Sequence, residues 1–553
     1  MNIFKSNFLN GQSRTITSAA IILAITSLAS RFLGLLRDRL LAGQFGAGDT
    51  LDVYYAAFRI PDLVFNLLVF GALVAGFIPT FLSYWRADAG DNQKVSAEGW
   101  RFVNVILNLF FIVLLVIGGL FFIFTPYLMK LITPGFNPEK LALTVQLTRM
   151  MFLSPLLLGL SSVFGGVLES LKRFLIFSLT PIVYNFGIIF GVLFLVPRFG
   201  IYGLAGGVIL GAFFHLVIQI PAVWSLGWRY KFILDFKDKG MRRVLGLMGP
   251  RVLTLAVGQL NFIAITIIAS ALAAGSLAIF NLSFNIWSFP LGIIAASLAI
   301  AAFPTLTANA QMKNWSAFVG NFSTTFRQIF FLIIPSSALF IILRAQIVRV
   351  ALGSGKFNWE NTILTAQSLM FLTFGLFAEA LIMLLVRGFF AVEDTKTPFW
   401  LGLVSSIFRI GCAWVFSLVW GVAGLALGYS FGAIIYFLLL WVCLRRKIAR
   451  LSGSAQRHLN EKEIIISGLK IVAASLLAGA AAWGMLRLID NFVDMQTLLG
   501  VFAQGFIAGL AGLAVYFLAG LLFRSQEMGT FWKAIKNRLP FKAVAPDKEL
   551  IEP

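Results

Sequence analysis

The sequence predicts an all-α, polytopic membrane protein of about 14 transmembrane helices, and three observations carry that prediction. Of 553 residues, 59% are hydrophobic and only 12% charged, with a mean hydropathy of +0.90; a soluble domain has roughly 45–50% apolar and about 25% charged residues. Apolar runs long enough to cross about 30 Å of hydrocarbon, roughly 20 residues each, follow one another along almost the whole chain. Lys and Arg gather in alternate connections between those runs, as they do around membrane helices.

The runs lie near 18–37, 53–82, 102–128, 143–171, 174–197 and 201–226, then near 250–273, 276–307, 326–352, 362–390, 397–419, 421–444, 464–488 and 496–523. Their length makes them helices, because barrel strands need only about 9–11 alternating residues. The first run follows Lys5 and Arg14, like a signal peptide. It continues to about residue 36 and contains Arg31, too long and too polar for a signal core, and is read as a retained first span.

Orientation follows from the basic residues. Lys5, Arg14, Arg86, Lys94, Arg101, Lys172 and Arg173 fall on one side, with the 229–251 cluster, Arg445 to Arg457 and the tail from Arg524 to Lys542. The opposite connections offer Lys130, Lys140, Arg198 and Lys356. An even span count then places both termini in the cytoplasm. The net charge of +21 is accounted for by topology and anionic lipid, with no nucleic acid required. The domain reading is 1–226 as an N-terminal lobe (spans 1–6) and 227–249 as a cytoplasmic linker. A C-terminal lobe at 250–444 (spans 7–12) follows, then two extra helices with a basic loop at 445–523 and a cytoplasmic tail at 524–553. Two cysteines and two histidines leave no disulfide framework and little room for a metal centre.

Ionisable residues inside membrane spans are costly and usually face a cavity or a partner. The first span carries Arg31, then Arg37, Asp38 and Arg39; the second carries Asp52, Arg59, Asp62 and Asn66. A spacing of seven puts Asp52, Arg59 and Asn66 on one helical face, with Asp62 beside them, and Pro61 loosens the helix there. Guanidinium binds phosphate bidentately and keeps its charge when partly desolvated, so Arg31 and Arg59, helped by Arg37, point to an anionic, phosphate-bearing cargo. The plainer reading is snorkelling for Arg37 and Arg39 and an Arg59–Asp62 pair.

In the second half the corresponding spans are polar but uncharged: Gln259 and Asn261, then Asn281, Asn285 and Ser288 at i, i+4, i+7. Such groups suit sugar or peptide hydrogen bonds, and interhelical hydrogen bonds equally. Glu379 and Arg409 lie at matching depth, roughly 20 Å from the turn near Thr395 at 1.5 Å per residue. They are expected to pair, as a structural salt bridge or as a coupling element. His215 and Gln219, one turn apart, read as a packing hydrogen bond before a proton relay.

Phosphate-loop, zinc-protease, serine-hydrolase and kinase signatures are absent; Gly353-Ser354-Gly355-Lys356-Phe357 lacks the spacing and the hydroxyl residue of a phosphate loop. The expectation is a transporter without ATPase motif or cofactor, driven by the membrane potential or an ion gradient.

Several stretches resemble MurJ-type lipid II flippases (the MviN family) of the multidrug/oligosaccharidyl-lipid/polysaccharide exporter superfamily. They are Ser30-Arg31-Phe32-Leu33-Gly34-Leu35-Leu36-Arg37-Asp38, Phe45-Gly46-Ala47-Gly48 with Asp52, Phe58-Arg59-Ile60-Pro61-Asp62, Gly71-Ala72 and Phe77-Ile78-Pro79. Pro134 to Pro138, Ser288 to Gly292 and Glu393 to Pro398 continue the likeness, which covers about residues 15–445. The resemblance implies two six-helix lobes around a central lumen, with two C-terminal helices forming a groove for the lipid tail. It implies alternating access that carries an undecaprenyl-pyrophosphate-linked muropeptide (lipid II) from the inner to the outer leaflet. The family's essential first-span arginines fall on Arg31 and Arg37, and its second-span acidic and basic positions on Asp52 and Arg59. The chain departs from the pattern at Phe65, Asn66 and Phe70, where the family has a basic pair and a glutamate, and at Asn285, where it has an arginine.

The functional expectation is therefore a lipid II flippase of peptidoglycan biosynthesis. Arg31, Arg37, Asp52, Arg59, Asn66, Asn281 and Asn285 form its binding set, and Glu379 with Arg409 a structural or coupling pair. Expected partners are lipid II, membrane lipids and the cell-wall synthesis machinery, with the chain a monomer. The alternatives are a flippase for another polyprenyl-linked glycan, a multidrug cation antiporter, and a non-transporting scaffold with the same fold.

Overall fold

The computed structural model describes residues 16–71, 76–87, 95–453 and 459–529. Lys5, Arg14, Lys94, Arg457 and the basic tail from Lys533 to Lys542 lie outside the described residues, as does Ala72.

Among the described residues every regular element is helical. Nine helices among the described residues are long and apolar enough to cross a membrane, and Trp359–Thr373 with Leu376–Ala391, bent by 42° at their junction, supplies a tenth. Lys396–Ser452 is 57 residues long because two passes meet at Gly421 (φ 55°, ψ −134°). Three further expected spans correspond to helices outside that set. Ile16–Phe45 carries three arginines and an aspartate. The second span is broken into Asp49–Ala57, Arg59–Val64, a π-helical turn Phe65–Phe70 and Ile78–Ala87. Lys239–Ser270 opens with Lys239, Arg242 and Arg243 and carries no charge after Arg251. Counting these, and Gly421 as a division, gives the fourteen passes expected.

Helix starts are legible as N-caps, where a side-chain oxygen accepts an otherwise unpaired N–H of the first turn. Ser96 accepts from Gly99 N at 2.9 Å, Asn137 from Lys140 N at 2.8 Å and Asp238 from Met241 N at 2.8 Å. Asn314, Asn358 and Thr497 do the same for the helices that follow them.

An internal repeat emerges that the sequence reading did not register. Gly200 (φ 57°, ψ −139°) turns the fifth span into the sixth as Gly421 turns the eleventh into the twelfth. At both turns glycines follow at +3, +7 and +11. A Cβ on Gly203, Gly207 or Gly211 would strike the backbone of Leu195, Gly191 or Tyr184; one on Gly424, Gly428 or Gly432 would strike Phe416, Ala413 or Arg409. The pairings run antiparallel, so each turn closes a helical hairpin whose arms meet backbone to backbone, as small residues permit in membranes.

The chain divides into two compact units, Met1–Phe289 with Ile347–Gly375 and Phe399–Tyr436, and Pro290–Gln346 with Leu376–Pro398 and Phe437–Pro553. In the second, Trp315–Ile342 packs on Glu461–Ile489 and Leu498–Leu522 through Phe331, Ala474, Ala478, Tyr516 and Ala519. The Tyr516 hydroxyl donates to Phe331 O at 2.7 Å, so the last two helices are fastened to the ninth span.

Candidate functional site

The site lies within the first unit and begins at a break in the second span. Pro61 has no N–H to give to residue 57, and its ring crowds that carbonyl, so Asp49–Ala57 stops and a new helix begins at Arg59. Six residues on, the π-helical turn Phe65–Phe70 shifts the register again; such turns recur at functional sites.

This irregular segment borders a cavity of about 370 Å³, inside the ~300–1,000 Å³ range of small-ligand sites. Arg37, Asp38, Tyr54, Tyr55, Arg59, Asp62 and Asn66 line it from the first two spans, Tyr184 from the fifth, and Gln259, Phe262, Asn281, Phe284 and Asn285 from the seventh and eighth. Two guanidinium and two carboxylate groups thus face one chamber, within aromatic walls.

The cations are held by defined partners. Arg37 donates Nε and Nη2 to Asp38 Oδ1 at 3.0 and 2.8 Å, and Nη1 to Asn185 Oδ1 at 3.1 Å. Asp38, 2% exposed, takes the Asn285 amide on its second oxygen at 2.9 Å. Arg59 donates Nε to Thr266 Oγ1 and Nη2 to Asn281 Oδ1, both at 2.7 Å, and lies over the Phe262 ring at 5.5 Å. Asn66 donates to Asp62 O at 2.8 Å. Apart from Asp38, the guanidinium acceptors are neutral, and a phosphate oxygen accepts more strongly than an amide or hydroxyl. The chamber can therefore exchange internal hydrogen bonds for an anion.

Arg37, Arg59, Asn66, Asn281 and Asn285 come together as the sequence suggests. Two residues depart from the expectation. Arg31 does not line the chamber; its guanidinium lies 5.9 Å from the Phe289 ring centroid. Arg31 lies seven residues, about 10 Å of helical rise, before Asp38, so depth along the helix rather than its face separates it from the chamber. Asp52 is also elsewhere, seven residues before Arg59 and so about 10 Å along the segment from it. It is 2% exposed, accepting Lys140 Nζ at 2.9 Å, Gly275 N at 2.8 Å and Ala278 N at 2.9 Å. That carboxylate clamps the start of the eighth span.

Of the remaining polar residues, Asn261 bonds Ser406 Oγ at 2.9 Å. His215 Nδ1 lies 2.7 Å from Ser161 Oγ, and Gln219 donates to Ser161 and to His215 O; the bonds to Ser161 pack the sixth span on the fourth. Glu379 stands in the first turn of Leu376–Ala391, and Arg409, 8% exposed, lies 4.1 Å from the Tyr429 ring centroid. Sequence reasoning missed Asn185 and Thr266. A lone amide one turn after Pro181, whose carbonyl it bonds at 3.0 Å, was a usable signal for Asn185. Thr266 offered none, because a threonine bonded to its own helix, here to Phe262 O at 2.8 Å, is ordinary in such spans.

Comparison with known proteins decides the family. The sequence profile of one family, Lipid II flippase MurJ, matches residues 41–503. The chain belongs to the MurJ family. A probable lipid II flippase MurJ of Buchnera aphidicola subsp. Acyrthosiphon pisum is 30% identical over 78% of this chain and 85% of its own. One from Treponema pallidum is 27% identical over 85% and 88%, and the lipid II flippase MurJ of Burkholderia cenocepacia 28% identical over 76% and 82%. Among solved structures, a lipid II flippase MurJ in an inward closed conformation superposes with a TM-score of 0.72 over 93% of this chain and all of that one, at 24% identity. An inward-facing multidrug MATE transporter gives 0.64 over 79% and 99%, at 16% identity. Both share the fold. Membership of the MurJ family makes this chain a multi-pass membrane transporter of the lipid II flippase class rather than an enzyme.

Proposed function

We propose that this chain moves lipid II, the polyprenyl-pyrophosphate-linked muropeptide, from the inner to the outer leaflet of the cytoplasmic membrane by alternating access. The observation that carries the reading is the chamber lined by Arg37 and Arg59, in which Arg59 is held by the neutral acceptors Thr266 and Asn281 and Arg37 by Asn185 beside Asp38. A pyrophosphate entering it replaces Asn185 and Asn281 as guanidinium partner. The released amides, with Asn66 and Asn285, are then available to the sugar and peptide. Rocking of two six-helix lobes, divided near 227–249, changes which leaflet the chamber faces, and the last two spans guide the polyprenyl tail. Arg31 and Asp52 act from outside the chamber, Asp52 by fixing the eighth span.

Both termini are cytoplasmic in this reading, the chain works as a monomer, and the membrane potential or an ion gradient supplies the work. Glu379 and Arg409 pair within the second half; exchanging the two charges restores folding lost in either single variant. Asn66 and Asn285 stand where the family has basic residues, which favours as second reading a flippase for another polyprenyl-linked glycan. Complementation separates the two. Growth restored when the host flippase is depleted, and lost with Arg59→Ala at normal expression, supports lipid II. No rescue, combined with movement of a different glycolipid in proteoliposomes, selects the second.

A further inference from the structure

A second pocket lies in the other compact unit, where the turn after Leu376–Ala391 meets the end of Lys396–Ser452. It encloses about 420 Å³ and is lined by Asp394, Arg446, Lys447 and Arg450 with Phe389 and Leu451. Asp394 accepts Lys447 Nζ at 2.5 Å, Thr397 N at 3.0 Å and Thr397 Oγ1 at 2.7 Å, so one of the three cations is answered. Arg446 and Arg450, four residues apart on one helical face, are exposed and, among the described residues, not ion-paired.

The internal repeat shows that the fold does not require this cluster. Lys172 and Glu393, 221 positions apart like Gly200 and Gly421, share a φ of 58°, so the two turns correspond. The first copy's helix ends at Ser225, the counterpart of Arg446, whereas the second continues to Ser452. Lys447 and Arg450 belong to that extension.

We propose that this pocket binds a phosphate group, with an anionic phospholipid of the cytoplasmic leaflet as the source its apolar side favours. Two guanidinium groups one turn apart offer paired donors to phosphate oxygens. Phe389 and the exposed Leu451 present apolar surface beside them for a glycerol backbone and the first carbons of an acyl chain. The leaflet follows from the orientation argued from basic residues; the phosphate site itself does not depend on lipid II being the cargo.

The test is thermal unfolding of the full-length chain in detergent with added phosphatidylglycerol, phosphatidylcholine or inorganic phosphate. Phosphatidylglycerol is expected to raise Tm and phosphatidylcholine is not. The double variant Arg446→Gln, Arg450→Gln is expected to weaken phosphatidylglycerol binding ~30-fold, about 2 kcal/mol at 1.4 kcal/mol per tenfold, with Tm in phosphatidylcholine unchanged. The charge-keeping pair Arg446→Lys, Arg450→Lys retains the response, and Arg450→Gln alone shows a partial loss if the double variant does not fold. A shift from inorganic phosphate of equal size, lost in the variant, keeps the phosphate site and makes the soluble ion its source. A phosphatidylglycerol shift that survives the double glutamine variant, or no shift from either ligand, overturns the proposal. Lipid II movement is expected to be unaffected, so failure of the transport reading shows separately.

Discussion

Asn285 of the eighth span donates its amide to Asp38 of the first at 2.9 Å, while Arg37 holds the other oxygen of the same carboxylate at 2.8 Å. One nearly buried carboxylate thus ties two distant stretches of chain across the chamber. Removing one partner from a buried charged network costs far more than the network contributes net, because the remaining charge is stranded. Asp38→Ala should therefore lower stability by about 3 kcal/mol, read as a fall in Tm in detergent. Asp38→Asn, which keeps an acceptor for Arg37, should lose clearly less. Equal Tm values for the alanine variant and wild type would remove Asp38 as a cross-chamber tie.

Asp62 faces the same chamber as Arg59 and competes with any anionic cargo. Asp62→Asn leaves two guanidinium groups against one carboxylate and should tighten binding of a pyrophosphate-bearing lipid by about tenfold, while Arg59→Ala should weaken it by at least as much. Equilibrium binding of lipid II to the purified chain checks both. A weaker complex with Asp62→Asn would mean that this carboxylate contacts cargo rather than competing with it.

The helical class and the number of passes were legible because lipid imposes its length and satisfaction rules on each segment alone. The chamber was legible at Arg37, Arg59, Asn66, Asn281 and Asn285, where isolated polarity inside an apolar run is itself the signal. Depth in its run points Arg31 to the chamber and a spacing of seven points Asp52 there, and neither lines it. Spacing tells which residues share a face, not how deep along the axis the chamber lies: Arg31 is seven residues before Asp38, and Asp52 is seven before Arg59, where it meets the start of the eighth span. Asn185 and Thr266 went unseen because their role is created by contacts across roughly 150 and 200 residues, which no local pattern encodes.

Arg39 lies beyond the chamber and latches onto another element. It donates to Val350 O at 2.6 Å and Gly353 O at 3.0 Å, carbonyls at the C-terminal end of Arg344–Leu352, where a cation is favoured by both hydrogen bonding and the helix dipole. Arg39→Ala should speed amide hydrogen exchange across 350–357 by about tenfold while leaving the chamber residues protected, measured by mass spectrometry. Unchanged exchange in that loop would show that Lys356 N to Gly43 O at 2.8 Å suffices to hold it.

Asp394 gives a pH dependence of definite sign. Burial pushes its carboxyl upward, but the Lys447 ammonium and the Thr397 backbone and hydroxyl outweigh burial and hold it below the usual carboxylate range. A lowered folded-state value means the carboxylate stabilises the fold above its unfolded pKa, near 4, and loses that contribution as pH falls through the folded value. Wild type should therefore exceed Asp394→Asn in Tm at pH 7, and the gap should close below pH 4. A gap independent of pH would assign the effect to packing.

The hairpin at Gly421 supplies the last expectation. A Cβ at position 428 would sit 2.2 Å from Ala413 N and 2.3 Å from its Cα, whereas one at Gly411, two residues before Ala413, would meet nothing within 4 Å. Both glycines lie in the same 57-residue element and both would gain helix propensity from alanine, up to about 1 kcal/mol. Backbone cannot yield as a flexible side chain does, so at 428 the clash decides the sign and at 411 propensity does. Gly428→Ala should force the arms apart and sharply reduce the folded fraction recovered from membranes, with Gly207→Ala, 2.7 Å from Gly191 Cα, following it in the first hairpin. Gly411→Ala should be recovered at wild-type level or above. Fluorescence-detected size-exclusion chromatography distinguishes these outcomes, and normal recovery of Gly428→Ala would show that the arms do not meet through their glycines.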